Sequence, residues 1–135
     1  VSAAWEKVLA RALRAQDPVG VLRAACDDPA LPPATRRAFT RAIADGHGLR
    51  MAALLVAKLR FERIVRGSGE LAEWFERDAQ QFTEAFRRCH AAMPLDAVFP
   101  AAEARAFAAF CARRTIALDT AYNRGRPSCG PRGAR

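Results

Sequence analysis

Residues 49–66 read LRMAALLVAKLRFERIVR, and the fold turns on how this stretch is placed. Met51 to Ala57 form the longest uninterrupted apolar run, far short of the ~20 residues a membrane span needs. Leucine and alanine are strong helix formers, and through the first two turns apolar side chains occur nearly all round the helix. A helix of this kind is expected to pack on more than one side and to lie at the middle of the core.

Working outward, the rest of the chain repeats the same chemistry. Alanine accounts for 31 of the 135 residues, while β-branched residues are sparse, so an all-α fold is expected. Towards the amino terminus, Ser2 precedes a helix carrying Trp5, Val8, Leu9 and Leu13 at helical spacing. Asp17-Pro18 opens a short second helix that Asp28-Pro29 stops, and Pro32-Pro33 opens a third that Gly46-His47-Gly48 is expected to end. Towards the carboxy terminus, a single helix is expected over 69–93 with Leu71, Phe75, Phe82, Phe86, Cys89 and Met93 inward and Asp78 outward, paired with an arginine. Asp96 to Phe99 is expected to form one turn, and Pro100 to open a last helix over 100–123. The expected architecture is a compact bundle of five to seven helices, with the 69–93 and 100–123 helices packed on the 49–66 helix.

Length and charge bound the organisation. A chain of 135 residues fits one domain that buries roughly two thirds of its unfolded surface. That domain is assigned to residues 1–123. Residues 124–135 contain four arginines, three glycines and two prolines with no large apolar side chain, so they are expected to form a flexible basic tail outside the core. The net charge of +8 is carried by the front half and this tail. Arginine outnumbers lysine 20 to 2, which a GC-rich, bacterial coding sequence explains without any nucleic-acid ligand. The beginning of the chain carries Glu6 and Lys7 and lacks a long apolar core, so no signal peptide is expected there and the cytoplasm is the expected compartment.

The residues that would carry catalysis do not form a known pattern. Cys26, Cys89, Cys111 and Cys129 stand singly, without the paired spacing of a zinc site, and the first three lie on apolar helical stripes as small hydrophobes. Neither His47 nor His90 has a glutamate three residues before it, as helical dimetal sites require. His47 sits between glycines in a turn, and His90 lies near a helix end, where a cation suits the dipole. Gly67-Ser68-Gly69 lacks the lysine of a phosphate-binding loop. No catalytic residue, cofactor or metal is therefore expected, and an enzyme is the less favoured reading.

Two binding readings remain. The first is a non-enzymatic protein-interaction or regulatory domain, with a protein partner or a second copy and with Trp5 and Trp74 as contact anchors. The alternative is nucleic-acid binding by a helix-turn-helix-like segment over 18–45. It would present Arg36, Arg37, Thr40 and Arg41, helped by Arg124, Arg126, Arg132 and Arg135 of the tail. Its connection from Asp27 to Pro32 is longer than the usual 3–4-residue turn of that motif. No membrane partner is expected.

Overall fold

A computed structural model describes residues 3–124 apart from 96 and 98, and gives the backbone alone for residue 3 and residues 116–124. Among the described residues there are seven helices and no strand: α1 (Ala3–Arg14), α2 (Pro18–Cys26), α3 (Pro33–Ala44), α4 (Gly46–Gly67), α5 (Gly69–Arg77), α6 (Ala79–Ala92) and α7 (Pro100–Arg124). The expected all-α bundle is present. No helix among the described residues is long and apolar enough to cross a membrane. The expected turn at 96–99 includes the undescribed residues 96 and 98. The tail beyond Arg124, including Cys129, lies outside the described residues.

Short aspartate side chains, more than glycines, mark the helix boundaries. Asp17, Asp45 and Asp78 each cap a helix, accepting from the backbone N–H of Gly20 (3.0 Å), Gly48 (3.1 Å) and Gln81 (3.0 Å). Each satisfies an N–H that has no partner within its helix. Two expectations are corrected on this ground. Residues 69–93 are not one helix, because Asp78 leaves the helical conformation (φ −149°, ψ 80°) and restarts the chain as α6. Nor do Gly46, His47 and Gly48 end α3; they form the first turn of α4, separated from α3 by Asp45 alone.

The 22-residue α4 joins two apolar clusters. Its amino-terminal end meets α1, α2 and α3 around Ala12, Val19, Leu22, Leu31, Phe39 and Leu49. Its carboxy-terminal end meets α5, α6 and α7 around Ile64, Leu71, Phe82, Phe86, Cys89, Ala104 and Phe107. Phe61 lies edge-on to Phe75, Phe82 and Phe86 at 5.1–5.4 Å, so the break at Asp78 lets α5 and α6 wrap the same ring. Gly67 allows α4 to meet the start of α7 closely: a Cβ there would overlap the carbonyl oxygen of Pro100 and crowd the methyl of Ala104.

Between the clusters, α4 departs from the expected all-round burial. Met51, Leu54, Leu55 and Leu59 are 52, 62, 55 and 45% exposed. Their spacing puts them on one face of the helix. The apolar run thus lies largely at the surface, and the buried residues of α4, Leu49, Arg60 and Ile64, lie on either side of it.

Candidate functional site

The exposed face of α4 opens into a groove of about 700 Å³ between the end of α1, the middle of α4 and α6. Leu13, Ala53, Leu54, Ala57, Phe61 and Phe86 supply apolar walls, and Arg14, Arg50, Lys58 and Arg87 supply cations, with no carboxylate among the described lining residues. Lys58 is partly neutralised by Glu62 one turn on, at 3.6 Å.

One end of the groove is built from the carboxy terminus of α6. Its last carbonyls have no partners within the helix, and two arginines from elsewhere supply them. Arg14 of α1 donates to Met93 O (2.8 Å) and Ala91 O (3.3 Å). Arg60 of α4 donates to Met93 O (2.9 Å) and to Pro94 O just beyond the helix (3.1 Å). Arg60 is only 2% exposed, and its Nε donates to Glu103 Oε2 of α7 at 3.1 Å, with Glu103 1% exposed. Arg63 meets the other carboxylate oxygen at 3.4 Å. A buried charge is tolerable only when paired and hydrogen-bonded, and here both conditions are met.

His90 of α6 lies between this ionic knot and the groove, which it lines. Its ring is stacked on Phe86 (centroids 5.4 Å apart, 14° between planes), and its Nδ1 lies 3.4 Å from an Arg60 guanidinium nitrogen. Guanidinium has only hydrogens to offer, so Nδ1 accepts and the neutral ring carries its proton on Nε2. That Nε2 is buried and has no hydrogen-bond partner among the described residues. An unsatisfied buried donor costs about 1–3 kcal/mol, so its retention at a groove wall calls for a reason.

The expected cationic His90 is therefore corrected. Burial first, and then the positive charges of Arg60 and Arg14, lower its pKa from 6.5 to about 4. The unfolded chain takes up a proton at His90 near pH 6.5, while the folded chain resists until about pH 4. The stability associated with a neutral His90 is complete above pH 6.5 and is lost as pH falls through this window. Urea midpoints measured from pH 7.5 to 4 should fall less steeply in a His90→Phe variant than in the parent protein.

The structure places the sequence candidates elsewhere. Trp5 is half-buried against the amino-terminal cluster. Trp74 is half-buried too, stacked 6.0 Å from Phe107 and edge-on 5.0 Å from Phe82, with its Nε1 donating to Gln81. Neither lines the groove. Arg36 donates to the carbonyls of Cys26 and Asp28, capping the end of α2, and its own carbonyl accepts from Thr40 Oγ1 at 2.8 Å. Arg37, Thr40 and Arg41 are exposed on α3. Arg124 ends α7 and its side chain is not described; Arg126, Arg132 and Arg135 lie outside the described residues. Cys89 is buried, and desolvation pushes its thiol up to about 11, which keeps it protonated. Cys26 and Cys111 are half-buried.

No protein-family model, curated protein or solved structure matches the chain.

The site was missed in the sequence because each part has an ordinary reading by itself. The exposed leucines look like core, Arg14 and Arg87 look like solvated cations, and His90 looks like a helix-end cation. Only the convergence of α1, α4 and α6 makes them one surface.

Proposed function

We propose that this protein is a non-enzymatic interaction domain that docks the apolar face of an acidic amphipathic helix from a partner protein. One observation carries the reading: Met51, Leu54, Leu55 and Leu59 form an exposed apolar face that opens on a groove rimmed by cations. The face runs about 12 Å along α4, two turns of helix, and Leu55 and Leu59 extend it beyond the groove lining. A small ligand would leave that extension uncovered, whereas a helix laid in the groove covers it with anchors at helical spacing. Charge selects the partner. Four lining cations favour carboxylates on the docked helix, while a second copy of this chain, net +8, would set like charges against each other.

The cytoplasm is the compartment we assign, where thiols such as the free Cys26, Cys89 and Cys111 stay reduced. Nucleic-acid binding through α3 is the less supported reading, since Arg36 is committed to the carbonyls of Cys26 and Asp28.

The test uses a capped 16-residue helical peptide with leucine at i, i+3, i+4, i+7 and i+11, glutamate on the flanking positions and alanine elsewhere. Titration calorimetry should show binding to the parent protein, weakened on the order of tenfold or more by Leu54→Glu, roughly 1.4 kcal/mol. Leu54 is 62% exposed, so this change leaves the fold intact. Equal binding of the parent and Leu54→Glu proteins, tighter binding of a lysine-for-glutamate peptide, or affinity for duplex DNA in place of the peptide would overturn the reading.

A further inference from the structure

We infer that His90 sets the chemistry of the partner at the inner end of the groove: its Nε2–H donates to the carboxylate of one aspartate or glutamate on the docked helix. This rests on the docking reading and names the residue type that would distinguish one acidic helix from another.

Three features of the site converge on a carboxylate. His90 is 7% exposed and lines the groove, and its Nε2 is a buried donor without a partner among the described residues. The other ring nitrogen is committed to Arg60, and one ring face is committed to Phe86, so the Nε2 edge is the part of the ring left for a ligand. The surroundings are positive. Arg14 and Arg87 line the groove beside His90, and Arg14 and Arg60 already oppose a positive charge on its ring. A field that disfavours imidazolium favours an anion at the same place, and a hydrogen bond to an ionised acceptor is roughly twice as strong as a neutral one. Nε2 is covered in the unbound groove, so the groups over it must move as the acceptor enters. A neutral side-chain amide satisfies the donor but not the field, so a carboxylate is preferred to its amide.

The experiment is a scan of the same peptide, each glutamate changed in turn to glutamine, against the parent protein and against His90→Phe and His90→Gln. One glutamate is expected to cost about tenfold when changed, the others two- to threefold each, and His90→Phe is expected to remove the distinction at that one position. His90→Gln keeps an N–H donor and restores part of the discrimination. If His90→Phe does not fold, the scan on the parent protein still decides, since equal losses at every position mean rim electrostatics alone and overturn the inference. A peptide that binds and responds to Leu54→Glu, yet shows no coupling to His90, overturns this inference and leaves the docking reading standing. A peptide that does not bind at all overturns both.

Discussion

Glu103→Ala should lower the unfolding free energy by about 3–5 kcal/mol, because it strands the Arg60 guanidinium, 2% exposed, without its counter-charge. Arg63, at 3.4 Å from the same carboxylate, loses a partner as well, but its side chain is 32% exposed and water replaces the contact. The informative comparison is the double variant Arg60→Met/Glu103→Leu. Replacing a buried ion pair by apolar side chains of similar volume is often neutral. Here recovery should be partial, since Arg60 also serves the carbonyls of Met93 and Pro94 and the Nδ1 of His90, all of which would lose a donor. Urea denaturation of Arg60→Met, Glu103→Leu and the double variant gives the coupling. A loss below about 1 kcal/mol for Glu103→Ala would mean the pair behaves as a surface salt bridge.

Phe82→Ala should be comparably damaging, at about 3–5 kcal/mol. Phe82 is fully buried and is the ring on which Phe61, Trp74, Phe75 and Phe107 converge, with centroids 5.0–5.5 Å away. The loss combines the transfer of a large apolar side chain with a cavity whose walls, held on α4, α5 and α7, cannot all collapse inward. Because Trp74 rests edge-on against Phe82, its near-ultraviolet circular dichroism should change along with the urea midpoint. Phe82→Leu keeps most of the volume and should cost a fraction of this. A Phe82→Ala protein with parental stability would contradict the placement of the carboxy-terminal core.

The sequence made the helices legible wherever periodicity and a breaker agreed, as at Asp17-Pro18, Pro33 and Pro100. It misled where one aspartate did the work of a loop. Asp78 sits inside an apolar stripe that continues in register on both sides, so nothing in the spacing of Phe75 and Phe82 signals that the helix restarts between them. The candidate site was hidden for a different reason. An apolar run such as Met51 to Ala57 predicts contact with something, but not whether this chain supplies it. Among the described residues α7 meets α4 at Arg60, Arg63 and Gly67, and α5 meets it at Phe61, while Leu54 and Leu55 stay exposed. His90 was equally opaque, because its charge state depends on Arg60, thirty positions away, and on burial that no local pattern reveals.

The docking groove is tested most directly by amide chemical-shift mapping of the isotope-labelled protein titrated with the acidic amphipathic peptide. Saturable shifts should cluster at the end of α1, at residues 50–61 of α4 and at residues 83–91 of α6, with the His90 ring protons among the most perturbed. Shifts confined to Arg37, Thr40 and Arg41 on α3, or spread evenly over the basic surface, would contradict it.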